Sequence, residues 1–387
     1  MKTKATQQWL LVLHVLASFF FFFILLTSSS SQELADSSDP VKNATRIDCG
    51  VIKGSGDEKT PSDYQYDDGF VEHGKGLNLS SNYNKEEIGN QLRTLRSFPE
   101  GKRNCYRVPT ERNAYYLVRA FFAYGNYDSK TSFDLYIGVN YWATISKEDG
   151  DIVRHEVIHF SPTDDINVCL VKTDDGIPFI SLLEVWPWQN SRYDQLASSL
   201  LRLMSRSKLG MSEDDTYIRY PDDNYGRSWF NRKMDNSVRI SSSSAAIDSN
   251  TSDNVYDLPK EVLTSAVQSI HASSSLVIHM DRCCNTGHDY YVYLHFYDFV
   301  SKSRNNQQRK MVIAFSDGVD VSFTLEYMKP TTLVRNIKGH DVVSNISIRS
   351  ASDSQLPAML NAYEIYRVLP QPLNRQLMKE MLLRSKT

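Results

Sequence analysis

Short stretches in which hydrophobic and polar positions alternate recur along this chain and predict β-strands. They are rich in aromatic and β-branched residues, which favour the pleated surface of a sheet. The clearest examples lie at 133–145, 151–160, 290–299 and 320–328. Asp-Gly and Gly-Asp steps between such stretches supply the positive φ that tight connections require. The pattern predicts an all-β sandwich or jelly roll rather than alternating strands and helices.

The pattern occurs twice in the same order, which predicts two modules. Each copy runs from an aromatic strand through a strand that leads to glycine, and closes with a strand carrying one glutamate between apolar residues, Glu184 or Glu364. The corresponding segments are 115–128, 133–145 and 178–188 in the first half, and 290–299, 310–325 and 356–369 in the second. The chain length fits modules at 46–190 and 215–370.

Helical segments are expected only at a few places. Residues 191–214 are expected to link the modules, and the composition of 189–210 predicts a short linking helix. The stretch 257–267 predicts another short helix, which would cap one end of a sandwich. The tail at 371–387 has a weakly amphipathic pattern typical of a frayed end.

The N-terminus predicts export. Lys2 and Lys4 precede an apolar run at 9–26, and small polar residues follow, which is the pattern of a secretory signal over 1–31. The run is also about as long as the shortest membrane-spanning helices, so a retained, membrane-associated anchor is the alternative. Four sequons predict N-glycosylation at Asn43, Asn78, Asn250 and Asn345.

Cysteine and charge content narrow the function classes. The five cysteines are at 49, 105, 169, 283 and 284, so in an oxidising compartment at least one is unpaired or intermolecular. The connectivity stays open, and the adjacent pair is expected to be two thiols rather than a vicinal disulfide. A formal net charge of -3 argues against a nucleic-acid partner.

One motif suggests a zinc peptidase. His155, Glu156 and His159 have the H-E-x-x-H spacing that builds a zinc site on a helix. The flanking residues favour a strand instead, and on a strand a four-residue step spans about 13 Å, too far for one zinc ion. No nucleophile elbow or phosphate-binding loop appears in the sequence. We therefore expect no enzymatic activity, no metal and no cofactor.

The stretch at 219–229 places two arginines beside two aspartates. Arg219 and Arg227 flank Asp222 and Asp223. We expect Arg-carboxylate hydrogen bonds that pin the start of the second module, with a polar clamp for a ligand as the alternative.

Several longer segments resemble the malectin-like region of plant leucine-rich-repeat receptor-like kinases. They lie, in the order found in that family, at 47–50, 95–106, 168–184, 219–229, 257–267 and 356–366. The resemblance covers roughly residues 46–370 and implies two tandem malectin-type β-sandwich modules. No leucine-rich repeat, second apolar span or kinase signature follows in this sequence, so the chain resembles the ectodomain alone, as a stand-alone product or a truncated receptor.

The resemblance implies a noncatalytic binding protein, secreted to the cell exterior or wall. Its expected ligand is a carbohydrate or cell-wall polysaccharide. The alternative is a soluble co-receptor or decoy that binds a secreted peptide or a receptor-kinase ectodomain. Sugar recognition needs flat aromatic faces together with polar groups for the hydroxyls. The candidates are Tyr64, Tyr66, Asp67, Tyr106, Tyr124, Asn126 and Tyr127.

Overall fold

One long sheet runs through both halves of the chain in the computed structural model. The structure describes residues 43–51, 63–80, 92–127, 131–149, 151–173, 176–188, 193, 199–212, 217–243, 247–280, 283–300, 308–315, 318–339, 345–354 and 356–370. The expected signal segment and C-terminal tail lie outside the described residues. No helix within the described part is long and apolar enough to cross a membrane.

The long sheet has 11 described strands, which are numbered here in chain order. They are β1 (Thr45–Asp48), β2 (Gln65–Tyr66), β6 (Ala114–Ala123), β9 (Ile152–Ser161), β12 (Leu182–Trp188), β13 (Ser199–Leu209), β14 (Tyr217–Ile218), β15 (Trp229–Arg232), β19 (Tyr290–Phe296), β22 (Thr331–Ile337) and β25 (Ala362–Pro370). Their order is β2-β1-β12-β6-β9-β13-β25-β19-β22, with β15 on β13 and β14 on β15. Strand β9 meets β13 through Ile158 and Leu201, so the sheet continues from one half into the other.

Two smaller sheets belong to the first half. Their strands are β3 (Lys75–Asn78), β4 (Thr94–Ser97), β5 (Arg103–Pro109), β7 (Ser132–Ile137), β8 (Asn140–Ser146), β10 (Asp165–Val171) and β11 (Phe179–Ile180). One sheet has the order β5-β10-β7-β8, and the other has the order β11-β4-β3. A buried cluster that includes Phe122, Trp142 and Val168 draws on the long sheet and the four-stranded sheet together. The disulfide Cys105–Cys169 joins β5 to β10.

Two further sheets belong to the second half. Their strands are β16 (Ser237–Ser241), β17 (Ser265–Ser269), β18 (Leu276–Ile278), β20 (Arg309–Ala314), β21 (Asp320–Leu325), β23 (Ile346–Ser350) and β24 (Met359–Leu360). Their orders are β18-β23-β20-β21 and β16-β17-β24. The described helices are short: α1 (Lys260–Leu263) and two 3-10 turns, Asp67–Gly69 and Lys147–Asp149. A second buried cluster, including Val292, Ile313 and Ile348, packs these sheets on the long one.

The structure confirms an all-β chain with short helices and corrects one element. Residues 151–160 form strand β9, as predicted, and α1 lies in the predicted stretch 257–267. Residues 199–209 of the segment 189–210 are not helical, because they form β13 in the middle of the long sheet, and residues 189–192 and 194–198 of that segment lie outside the described residues. The expected linker 191–214 therefore contains a fully integrated strand. Cys283 and Cys284 form no disulfide with each other, in agreement with the expectation of two thiols, and their sulfur atoms are in contact at 2.9 Å.

Candidate functional site

A cleft of about 540 Å³ opens where the segment 217–230 lies beside the first half of the long sheet. Strands β1, β6, β9 and β12 contribute one wall, and β14, β15 and their connection contribute the other. The lining residues used below are Arg46, Asp63, Tyr64, Arg119, Arg154, Glu184, Trp186, Tyr217, Arg219, Tyr220, Gly226 and Phe230. Guanidinium groups and aromatic rings therefore dominate the lining.

Arg46 lies among three aromatic rings at the side of the cleft formed by β1 and β12. Its guanidinium carbon is 4.9 Å from the centre of the Trp186 ring, 5.2 Å from Tyr220 and 5.7 Å from Tyr64. It also forms an ion pair with Asp63. Cation–π contacts of this kind are worth about 0.5–2 kcal/mol each, so the cluster fixes the positions of the rings.

Glu184 is fully used by neighbouring donors. It accepts hydrogen bonds from Tyr64 Oη at 2.7 Å, Arg119 Nη1 at 2.8 Å and Trp186 Nε1 at 3.2 Å. Burial, with the adjacent Glu184 carboxylate, raises the pKa of Tyr64, so the phenol keeps its proton. This carboxylate therefore orients the cleft and is not a free acid or base.

Arg154 has no such partner. Its guanidinium lies over the Phe230 ring, 4.2 Å from the ring centre, and among the described residues no group forms a hydrogen bond or ion pair with it. Burial and the nearby Arg119 lower the pKa of Arg154 to about 9, which leaves it positively charged at neutral pH. The same side chain lines a second cavity of about 520 Å³ that adjoins the cleft. Arg154 is thus a charged group held between two cavities.

A buried ion network lies beneath the cleft and crosses between the halves. Arg119 Nη2 donates to Glu156 Oε2 at 2.7 Å, and Arg206 Nη1 lies 2.8 Å from Glu156 Oε1. Arg206 Nε donates to Glu364 Oε2 at 2.7 Å. Burial alone would raise the pKa of Glu364, but Arg206, His295 and Arg227 together outweigh it and lower that pKa below its ordinary value. The network keeps its carboxylates ionised and ties β6, β9, β13 and β25 together.

The far wall of the cleft is positioned by Asp223. This carboxylate accepts hydrogen bonds from Arg227 Nε at 2.8 Å and from Trp229 Nε1 at 2.8 Å. The predicted Arg-carboxylate pinning is therefore confirmed for Arg227 and Asp223. Arg219 behaves differently, because its guanidinium lies 5.1 Å from the Tyr217 ring centre and forms no ion pair within the described part of the chain.

Gly226 allows this wall to approach Trp186. Its φ is +68°, and a Cβ built there would lie 2.5 Å from Trp186 Cδ2. Contacts that short do not occur between real side chains, so only glycine fits.

Most of the predicted sugar-contacting residues lie elsewhere. Tyr64 lines the cleft, whereas Tyr106 and Tyr124 are buried in the core and expose no ring face. Asp67 is also buried, and it accepts hydrogen bonds from Arg96, Tyr106 and the Gly50 amide. Tyr106, Tyr124 and Asp67 therefore have structural roles, and we do not retain them as ligand contacts.

The remaining candidates are near the surface but outside the cleft. Asn126 is exposed, and its side chain bonds to the backbone of Ser80 and of Asn78. Tyr127 stacks on Phe179 with ring centres 4.3 Å apart and donates to a serine hydroxyl. Tyr66 is half-buried on β2. All four sequon asparagines are exposed, and their glycosylation stays a prediction.

The H-E-x-x-H residues do not form a helical metal site. Strand β9 places His155 and His159 four positions apart on extended backbone, as expected. Glu156 is held by Arg119 and Arg206, and His155 Nδ1 faces Arg202 at 3.4 Å. Within the described ranges no three His, Cys, Asp or Glu side chains come close enough to hold a metal ion.

Sequence reasoning missed most of the cleft. Arg46, Arg154, Trp186, Tyr220 and Phe230 come from five separate elements, so no local motif marks them. The available signal was an arginine inside an otherwise largely apolar strand, as at Arg119 on β6. Burying a charged side chain costs free energy, so such an arginine is a candidate site residue.

Comparisons with known proteins agree on one family. A family model described as the malectin-like domain matches residues 47–368. A probable LRR receptor-like serine/threonine-protein kinase of Arabidopsis thaliana, At1g51880, is 32% identical over 84% of this chain, and At2g19230 of the same plant is 34% identical over 83%. In both cases the match covers 37% of the relative's length.

Solved structures show the same fold. The extracellular domain of ANXUR2 from Arabidopsis thaliana superposes with a TM-score of 0.66 at 16% identity, covering 84% of this chain and 96% of that one. The plant receptor-like kinase FER gives a TM-score of 0.68 at 15% identity, with coverage of 84% and 96%. A complex of the plant peptide RALF23 with FER and LLG2 gives 0.66 at 14% identity, with coverage of 84% and 95%.

Proposed function

The chain belongs to the malectin-like family, and from this premise we propose that it is a noncatalytic binding protein that recognises carbohydrate in the cleft described above. The observation that carries the proposal is the joint presence of flat rings and polar groups in one concave surface. Phe230 and Tyr217 are 39% and 41% exposed there, although both are large apolar side chains. A saccharide uses such rings for its C–H face and polar groups for its hydroxyls.

The state of the carboxylates supports a binding role. Among the residues that the structure describes, Asp63 and Glu184 are the acidic ones that line the cleft, and each is in contact with an arginine. Acid–base catalysis needs a carboxyl group that can exchange a proton with the substrate. Carboxylates engaged in this way serve to position side chains.

The strand order supports two tandem sandwich modules. The run β1-β12-β6-β9 of the long sheet is followed by β13-β25-β19-β22, and the smaller sheets follow matching orders in each half. We infer a first module at about 46–190 and a second module that extends the expected 215–370 back to β13, because β13 has in the second sheet the position that β1 has in the first. The expected linker thus belongs largely to the second module.

An extracellular location fits the same features. The disulfide between β5 and β10, the exposed sequon asparagines and the ectodomain-type fold are all typical of exported proteins. We infer secretion to the cell exterior or wall, and N-glycosylation at the four sequons.

A second candidate function is protein interaction. A structural neighbour, FER, is known in complex with the plant peptide RALF23 and with LLG2. By analogy, this chain would act as a soluble co-receptor or decoy for a secreted peptide or a receptor-kinase ectodomain.

Binding to a glycan array, followed by calorimetry on the hits, tests the proposal. We expect at least one plant-type oligosaccharide to bind, and Phe230→Ala or Tyr217→Ala to weaken it about tenfold. Tyr141→Ala is the matched control, because Tyr141 is 44% exposed on β8 and does not line the cleft. Absence of saccharide binding, together with capture of a peptide or receptor ectodomain by the protein, would favour the second candidate.

A further inference from the structure

The two adjacent thiols of the second half are placed to react with each other. The sulfur atoms of Cys283 and Cys284 lie 2.9 Å apart, and a disulfide bond needs about 2.05 Å. Cys105 and Cys169 are already bonded to each other, and Cys49 is fully buried in the core of the first half. Since the structure describes all five cysteines, each thiol of the pair has the other as its nearest cysteine partner.

The turn that carries the pair is held at both ends. The amides of Cys283 and Cys284 both donate to the carbonyl oxygen of Met280, at 3.1 Å and 2.9 Å. On the other side, the Asn285 amide donates to Tyr290 Oη at 3.0 Å, and Tyr290 donates back to the Asn285 carbonyl at 3.1 Å. Met280 and Tyr290 are fully buried, so both ends of the turn are anchored in the core. The turn therefore holds the two sulfur atoms side by side.

The two thiols differ in their access to small molecules. Cys283 is half-buried and lines a cavity of about 130 Å³ together with Met204 and Met234, whereas Cys284 is only 8% exposed. A cavity holds a water molecule once it offers about 10–15 Å³, so this one admits a molecule as small as hydrogen peroxide. Cys283 is the thiol that such a molecule meets first.

The two thiols also differ in their proton affinity. The hydrogen bond with Cys283, together with burial, raises the pKa of the Cys284 thiol. Cys284 thus keeps its proton and donates it to the Cys283 sulfur, and a hydrogen bond to the charged form of a group favours that form. Because the thiolate is the reactive form of cysteine, Cys283 is suited to react first and Cys284 second.

We propose that Cys283 and Cys284 form a reversible thiol switch that responds to peroxide. This inference does not depend on the proposed function. In the first step the Cys283 thiolate attacks hydrogen peroxide, so that an S–O bond forms, the O–O bond breaks, and the leaving hydroxide takes up the proton that Cys283 released. In the second step the Cys284 sulfur attacks the sulfenic acid sulfur of Cys283. The S–S bond forms, the S–O bond breaks, and the hydroxyl group leaves with the Cys284 proton as a second water.

The resulting bond would be easy to reduce. The Cα atoms of adjacent residues are about 3.8 Å apart across a trans peptide, whereas a disulfide spans about 4.4–6.8 Å between Cα atoms. Strained disulfides are the labile and regulatory ones, since strain makes their reduction more favourable. A dithiol reductant would return both cysteines to thiols by two exchange steps and would itself become a disulfide. The pair is therefore suited to cycling and not to a lasting cross-link.

Peptide mass mapping of the wild-type protein tests the switch without any variant. The protein is treated with a mild dithiol reductant and then with hydrogen peroxide, alkylated in denaturant and digested with trypsin, which leaves both cysteines in the peptide 283–302. Before peroxide we expect this peptide to be alkylated twice. After peroxide it should carry no alkyl group and be lighter than the dithiol peptide by two hydrogen atoms.

Reversal and the competing products complete this test. Dithiothreitol should restore the two thiols at a concentration at least about tenfold lower than the one that opens Cys105–Cys169. Two thiols that stay unoxidised, a Cys283 that gains only oxygen, or a disulfide to a second chain would each overturn the inference. Reduction only at the concentration that opens Cys105–Cys169 would contradict a reversible switch.

Serine variants test the order of the two steps. Cys284→Ser should stop at the sulfenic acid of Cys283, which dimedone traps as a stable adduct. Cys283→Ser should react with peroxide at least about tenfold more slowly, because Cys284 is buried and keeps its proton. Equal rates in these two variants would overturn the assigned order. Cys49→Ser is the matched control and should be oxidised as the wild type is, since Cys49 is fully buried in the other half.

Discussion

Arg206 and Glu364 form a fully buried ion pair, in which Nε donates to Oε2 at 2.7 Å with no exposed surface on either side chain. Arg206 also reaches Glu156 on β9, a strand of the first half. The pair thus lies at the junction where the long sheet passes between the halves.

Removing one charge of this pair should destabilise the protein strongly. We expect Glu364→Gln to lower the free energy of unfolding by about 3–5 kcal/mol, because Arg206 would remain buried with one carboxylate fewer. Chemical denaturation measures the change. Asp320→Asn, which breaks the exposed pair with Arg349, is the control and should cost no more than about 1 kcal/mol. Similar losses for both variants would contradict a special role of the buried pair.

Stability should decrease in mild acid through the two histidines of β9. Burial lowers the pKa of His159 to about 4, and burial together with Arg202 lowers the pKa of His155 to about 3. Above pH 6.5, the ordinary pKa of histidine, both side chains are neutral in the folded and in the unfolded chain, and their contribution to stability is complete. As the pH falls below 6.5, the two histidines become protonated in the unfolded chain but stay neutral in the folded chain. The free energy of unfolding therefore decreases until the pH falls below the pKa values of the folded state.

Melting temperatures measured from pH 8 to pH 4 test this expectation. The double variant His155→Gln, His159→Gln should show a flatter profile between pH 6.5 and pH 4 than the wild type. His73→Gln is the matched control, since the His73 side chain is 77% exposed. An unchanged slope in the double variant would assign the acid sensitivity to another group, such as His295, whose pKa is also lowered by burial.

Gly226→Ala should damage the cleft more than the fold. The positive φ costs an alanine about 1–2 kcal/mol, and the new methyl group would push Trp186 away from Arg46. We therefore expect a modest loss of stability and a clear loss of saccharide binding, measured by denaturation and calorimetry. Gly138→Ala has a similar φ but open space around its Cβ, so it should reproduce only the stability loss. Equal binding by the two variants would argue against a tight packing requirement at Trp186.

The disulfide should contribute measurably to stability. Cys105 and Cys169 are 64 residues apart in sequence, and closing a loop of that size is worth about 2–4 kcal/mol. The double alanine variant should lose stability of this size in denaturant, and peptide mapping without reductant should recover the linked pair. Cys283→Ser should leave both results unchanged. A linkage that involves Cys49 would contradict the assignment.

The sequence predicted strands where side-chain alternation and composition agreed. In β9 the β-forming residues, the preceding turn and Pro162 all favour a strand, and the structure confirms it. In β13 the residues SLLRLMSRSKL are mostly good helix formers, yet pairing with β9, β15 and β25 makes the segment a strand. Hydrogen-bonded pairing with distant strands thus overrode the local helix propensity of these residues, and a single sequence does not reveal that pairing.

The cleft was largely beyond sequence reasoning for a related reason. The sequence predicts sugar contacts at Tyr106, which follows Cys105, and at Tyr124, which precedes Gly125, but both rings are buried in the core of the first half. Arg154 on β9 and Phe230 on β15 meet because β9 and β15 both pair with β13. The signal in the sequence was a charged residue inside an apolar strand. Such a residue indicates a buried charge but does not show which residue pairs with it.

The uninterrupted sheet also limits how this molecule can respond to a ligand. Because β9 and β13 are hydrogen-bonded across the junction and the ion network reinforces it, opening one half away from the other would break paired backbone and expose charges. The cleft should therefore bind its ligand without one half closing on the other. We therefore expect a third molecule to recognise the complex through the surface that the protein and its ligand form together, and not through a conformational change of the protein.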